Sequence, residues 1–233
     1  MDLAAYISAR SKEVEPGLSD EALAALEAEL GVRLPAELRR LIAQVGAYAA
    51  TARGFRKMGN VTFASGGPHA DGELFPACLF LLHNGCGDHW ILDVDPQTGE
   101  CGHVVLASHD PPLFAFHFRT LEEFIQKTLD PEFDLKAYQE LTEQNCLNFG
   151  IPALEARESE DASIREFGLT LSADYAIFDL RGRQLPCCFY WGLTDPDSNW
   201  KRWKHELLFA LSDKPMPKEV GLWEWLRKVF LGR

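Results

Sequence analysis

The sequence predicts an α+β fold, with helices packed on an antiparallel sheet and an α/β extension at the C-terminal end. Three observations carry this prediction. Apolar residues repeat at helical spacing before Gly46. Between Met58 and Phe118 they fall into short branched and aromatic runs divided by glycine and proline. Helical spacing then returns after Thr120. The order helix, helix, meander, helix is that of an α+β domain.

Taken in order, Ser19 or Asp20 caps a run whose Leu23, Leu26 and Leu30 share one helical face, and Gly31 ends it. A second helix opens with Pro35 in its first turn, where a missing N–H costs nothing. It carries Leu38, Leu41, Ile42 and Val45 on one side and stops at Gly46. Strands are expected at Val61–Ala64, Ala77–His83, His89–Val94, Gly102–Ala107 and Leu113–Phe118. The segment Asp95-Pro96-Gln97-Thr98-Gly99 supplies turn chemistry between two of them. Thr120 and Glu123 form a capping box ahead of Phe124, Ile125 and Leu129.

Asp130-Pro131 marks a boundary, giving a domain over residues 1–129 and an extension over 130–233 packed on it. In the extension, Leu135–Leu147 reads as helix and Glu155–Asp161 as an exposed acidic connection. Ala173–Leu180 and Leu185–Trp191 read as a hairpin, and Trp200–Leu211 and Lys218–Phe230 as amphipathic helices. Five of the six tryptophans (Trp191, Trp200, Trp203, Trp223, Trp225) lie in this part, and core or docking roles are expected of them.

The chain has 233 residues, 46% hydrophobic and 25% charged, which is globular composition with enough length for a full core. Net charge is -12, from 23 Lys and Arg against 35 Asp and Glu. That balance argues against nucleic acid and anionic membrane as partners and favours a basic protein. Met1–Tyr6 carries an acid and only a brief apolar run, so no signal peptide is expected, and no apolar stretch is long enough to span a membrane. Six cysteines, two of them adjacent, suit reduced thiols in a cytoplasmic protein.

Motifs for chemistry are few. His83, Cys86 and His89, with Cys101 and His103 beyond, offer soft ligands, but their spacing matches no standard zinc site. A calcium loop counted from Asp93 fails, because Thr98 and Val104 stand where glycine and glutamate are needed. There is no nucleophile elbow, phosphate-binding loop or dinucleotide fingerprint. Neither a metal nor a cofactor is expected.

Charge distribution is more telling. The 61 residues between Lys57 and Arg119 contain no Lys or Arg. They hold Asp71, Glu73, Asp88, Asp93, Asp95, Glu100 and Asp110, together with six of the seven histidines. These seven acids are the candidate partner-binding residues, matched to a cationic surface. A solvated acidic face is the plainer reading of the same span.

Leu30-Gly31-Val32-Arg33-Leu34-Pro35-Ala36-Glu37-Leu38-Arg39-Arg40-Leu41 resembles the N-terminal signature of the SUKH superfamily, which includes a yeast cell-wall-assembly regulator family. Gly46 matches the glycine near the end of that family's second helix. Gly85, Gly87, Asp88 and Trp90 resemble its glycine-rich turn and aromatic strand, and Asp93 and Gly99 continue the pattern. Ser108-His109-Asp110 and Phe118–Phe124 resemble its closing strand and helix. The resemblance covers about residues 1 to 129. It implies a twisted, mainly antiparallel sheet flanked by helices, structural roles for Gly85, Gly87, Asp88 and Trp90, and no catalytic residues. It also implies a non-enzymatic immunity protein that binds and neutralises a protein toxin, often a nuclease. Two alternatives stand beside it: a regulatory or scaffold protein-binding module, and a metal-dependent hydrolase built on His83, Cys86, His89 and nearby acids.

Overall fold

A computed structural model describes residues 1–65, 74–109, 112–147, 149–190 and 200–212. It opens with α1 (Leu3–Arg10), capped by Asp2, whose carboxylate accepts from the Ala5 amide at 3.1 Å. A short strand β1 (Val14–Pro16) follows, and neither element was anticipated individually. Helix α2 (Asp20–Leu30) is capped by the Ser19 hydroxyl and closed by Gly31 in the left-handed region, as its sequence dictates. Helix α3 (Ala36–Gln44) has Pro35 at its cap position. It stops before Val45, which instead starts β2 (Val45–Ala49). Val45 is branched and fully buried, and β2 pairs antiparallel with β1 and with β3 (Asn60–Thr62), so tertiary pairing overrides the helical spacing. A turn of 3-10 helix, Phe55–Lys57, links β2 to β3.

The predicted meander is present. After β4 (Ala64–Ser65) come β5 (Cys78–His83), β6 (His89–Val94), β7 (Cys101–His109) and β8 (Pro112–Phe118), each antiparallel to the next. Helix α4 (Leu121–Thr128) follows, with the Thr120 hydroxyl accepting from the Glu123 amide at 3.1 Å.

Beyond it lie α5 (Leu135–Gln144), β9 (Cys146–Leu147), β10 (Ile151–Pro152), α6 (Ala153–Ala156) and α7 (Ala162–Thr170). The described chain then ends through β11 (Tyr175–Asp179), β12 (Cys187–Tyr190), β13 (Trp200–Arg202) and β14 (Leu208–Ser212). Three expectations fail here. The helix expected over Leu135–Leu147 stops at Gln144, because Cys146 and Leu147 pair with β12 as a strand. The hairpin of residues 173–180 with 185–191 does not form: β11 pairs with β10 and β14, whereas β12 pairs antiparallel with β8 and parallel with β9. Cys187, Cys188 and Phe189 are all buried, so β12 needs cover on both faces, and an interior place in a large sheet provides it. Residues 200–211 are not helical but a hairpin of β13 and β14, turning at Lys204 with a positive φ of 51°. Leu208, Phe209 and Ala210 are likewise buried on both faces, a pattern in which helical and strand spacing look alike. The expected helix over Lys218–Phe230 lies outside the described residues, as do Trp191, Trp223 and Trp225.

The described strands form three sheets: a small one, order β1-β2-β3, a seven-stranded one, order β4-β5-β6-β7-β8-β12-β9, and a four-stranded one, order β10-β11-β14-β13. Side-chain alternation separates the cores. Trp90, Leu92, Val104, Leu106 and Ala115 face α1 to α4. Ile91, Val105, Phe114, Phe116 and Phe189 face the smaller sheet and meet Phe178, Trp200 and Phe209. Helices α6 and α7 cover the far side of that sheet through Ala153, Ile164 and Phe167. The layers therefore run helix, sheet, sheet, helix. Burying each large aromatic contributes about 1.5–3 kcal/mol relative to exposure, so the middle interface is a major part of the stability. Among the described residues no helix is long and apolar enough to cross a membrane.

Candidate functional site

The glycine-rich turn between β5 and β6 is built as a scaffold. Asn84 Oδ1 accepts from the amides of Cys86 and Asp88 at 2.8 and 3.1 Å, and the Asn84 amide side chain donates to the Asp88 carboxylate. Gly85 and Gly87 take φ of 76° and 102° to permit this. Trp90, next in line, is buried, and its indole N–H donates to His117 Nδ1 at 3.3 Å. Asp88 thus has a structural contact while remaining half-buried at the sheet's end.

Asp93 sits on the opposite face of β6 and is 1% exposed. Arg202 of β13 reaches it with two nitrogens, at 3.0 and 2.7 Å, and His205 Nε2 lies 3.0 Å away. Arg202 also donates to the carbonyl oxygens of Leu74, His205 and Glu206, and its guanidinium stands 5.4 Å from the ring centres of both Phe75 and Phe209. Burial alone would raise the Asp93 pKa, but the contacts with His205 and Arg202 outweigh it and hold it below the ordinary carboxylate value. Asp93 was expected among the partner-facing acids. It is matched internally instead and ties the two sheets together.

Asp95 and Glu100 flank the turn that follows. The Gln97 amide donates to Asp95 at 2.8 Å and, against a small effect of burial, lowers the Asp95 pKa. Gly99 has a φ of 77°, and a Cβ there would stand 2.1 Å from the Arg33 carbonyl oxygen. The turn is therefore pressed against the loop that joins α2 to α3. Two segments distant in sequence, 31–35 and 95–99, form one surface.

Beside them opens a cleft of about 580 Å³ between α1, α3, the start of α4 and the start of β7. Leu38, Leu41 and Leu121 form part of its wall. Asp2, Glu37, Glu100 and Glu122 line it, with Arg40 the one basic residue of the lining. Of the acids foreseen, Glu100 reaches this cleft and Asp95 stands at the adjoining turn, while Asp88 is at the other end of β6. Asp71, Glu73 and Asp110 lie outside the described residues. Asp2, Glu37 and Glu122 were missed. Their signal was present only as acids in or beside the first turns of helices, which reads as ordinary helix-end chemistry.

The soft-ligand set does not assemble. His83 Nδ1 accepts from the Gly85 amide at 3.1 Å, and His89 stacks on Phe80 with ring centres 4.8 Å apart. Among the described residues no group of three or more His, Cys, Asp and Glu side chains is placed to hold a metal ion.

A profile described as the SMI1 / KNR4 family (SUKH-1) matches residues 17–127. The match runs from just before α2 into α4, so it takes in both signature loops, the meander and three walls of the cleft. No curated protein and no solved structure gives a significant match.

Proposed function

Because residues 17–127 belong to the SMI1/KNR4 family (SUKH-1), a group of immunity-type and regulatory proteins, we propose that this chain is an immunity-type protein that binds and neutralises a protein toxin. The observation that carries this beyond the family is the acid-lined cleft. Its rim draws Glu37, Glu100 and Glu122 from three separate parts of the matched region, and with Asp2 these four acids face a single basic side chain, Arg40. Such a surface suits a basic partner such as a nuclease. It does not suit nucleic acid or an anionic membrane directly.

Neutralisation on this reading is non-enzymatic and needs no cofactor. The chain covers the toxin's working surface in the cytoplasm, and no bond is made or broken. Exposed acids accelerate encounter and set specificity, while desolvated apolar contacts in the cleft slow release. The span of the field is about 8 Å at physiological salt, so only charges on the contact rim count.

The test is co-expression with the product of the adjacent gene, combined with pull-down. Protection from toxicity together with a stable complex supports the reading. Binding without protection would assign the same cleft to a regulatory or scaffold role. Neither binding nor protection would sink the toxin reading for that partner.

A further inference from the structure

Cys146 and Cys188 stand directly opposite one another on the parallel strands β9 and β12. Neighbouring strands lie about 4.8 Å apart, and paired residues present their side chains on one face. The two α-carbons therefore fall within the span of about 4.4–6.8 Å that a disulfide bridges. Both side chains lie on the helix-facing side of the sheet: Cys188 is buried in that core and Cys146 is half-buried at its border. Cys188 Sγ lies 3.4 Å from the Thr142 carbonyl oxygen at the end of α5.

The other thiols are arranged differently. Cys187 and Cys78 point to the opposite face, into the aromatic core. Cys86 and Cys101 are exposed but sit at opposite ends of β6, roughly 20 Å apart at about 3.3 Å per residue.

We propose that Cys146 and Cys188 are a redox pair that closes to a disulfide under hydrogen peroxide, clipping the edge strand β9 and the end of α5 to β12. Cys146 is the attacking thiol. The adjacent Cys188 thiol lowers its pKa, outweighing burial and the nearby Glu143. Cys188, raised by that same contact and by burial, keeps its proton and acts second. The Cys146 thiolate attacks one peroxide oxygen, the O–O bond breaks, and the leaving hydroxide takes a proton to become water. Cys188 sulfur then attacks the sulfenic sulfur of Cys146. The S–O bond breaks, and the oxygen leaves as a second water with the Cys188 proton. Two thiols and one peroxide give one disulfide and two waters.

The experiment is peroxide titration of the full chain, followed by intact mass and non-reducing peptide mapping. The expected result is loss of two hydrogens and a single cross-linked peptide joining Cys146 to Cys188. Oxidised protein should unfold several degrees higher and return to its starting midpoint on reduction, because the bridge closes a long loop. Cys146→Ser and Cys188→Ser should each abolish the bridge, and the double variant Cys86→Ser with Cys101→Ser should keep it. A bridge through Cys86, Cys101 or Cys187, or sulfinic acid at Cys146 with no bridge, would overturn the proposal. Mapping of the unsubstituted chain decides this even if a serine variant fails to fold.

Discussion

On the helix side of the seven-stranded sheet, the buried polar cluster is neutral; on the side facing the smaller sheet, it is ionic. The neutral cluster centres on His117. Trp90 donates to its Nδ1, so Nε2 carries the proton and points to Thr142 Oγ1 at 3.3 Å, whose own hydroxyl donates to the Tyr138 carbonyl oxygen at 2.8 Å. The Tyr138 hydroxyl donates to the His117 carbonyl oxygen. The ionic cluster is Asp93 with Arg202 and His205. The neutral set stitches α5 onto a sheet it already touches. The ionic set joins two sheets and is costly to separate, because both charges are buried and each is the other's counter-ion.

The sharpest way to break this comparison is Asp93→Ala. It leaves the Arg202 guanidinium buried without its carboxylate, and a loss of about 3–5 kcal/mol in urea unfolding is expected. Replacing both partners, Asp93→Leu with Arg202→Met, should recover most of that loss, since apolar side chains need no counter-charge. If Asp93→Ala costs under about 1 kcal/mol, the pair is not what holds the sheets together.

His117→Phe should cost less, about 1–3 kcal/mol, by leaving the buried Trp90 indole N–H without its acceptor. It also sharpens the comparison through pH. Burial lowers the His117 pKa to about 3, whereas an unfolded histidine titrates near 6.5. The unfolded chain therefore binds a proton that the folded chain refuses, and stability falls as pH drops from about 6.5 toward 3, at up to ~1.4 kcal/mol per pH unit. Unfolding measured between pH 7 and 4.5 should be less steep for His117→Phe than for the unsubstituted chain. Equal slopes would show that His117 accepts a proton within the fold. The ionic cluster has the other window: the lowered Asp93 pKa contributes stability that is present above about 3.9 and is lost as pH falls through its folded value.

The smallest stability effect belongs to the cleft. Glu37→Lys with Glu100→Lys should change stability by no more than about 0.5 kcal/mol per site, because both are exposed. Association with a basic partner should nonetheless slow several-fold and lose much of its salt dependence. Unchanged rates and salt slopes would remove the cleft from recognition.

How legible these regions were follows the reach of their interactions. Helices α2 and α4 and the strands β5 to β8 were readable because Ser19, Gly31, Thr120 and the turn residues that divide the short apolar runs act locally. Asp93, in a strand, and Asp95, in the turn after it, both read as partner-facing acids of one span. What takes Asp93 out of that set is Arg202, which arrives from 109 residues away. The partners of β11 and β12 were hidden for a related reason: strands buried on both faces lose the alternation that would point to a neighbour. The cleft was half visible, since Glu100 stood out in the cation-free span while Asp2, Glu37 and Glu122 came from three helix starts.

The placement of β12 has a consequence for the order of folding. Strands β5 to β8 pair with sequence neighbours and can zip as the chain emerges. β12 must cross some 70 residues to reach β8, so its arrival is a late, high-contact-order event. Until then β8 is a free edge, and Phe114 and Phe116 beside it are uncovered. A nascent chain halted near residue 129 would present both at once, an invitation to pair with its own kind. Synthesis of the last third of the protein is thus also the step that removes a self-association hazard from the first two.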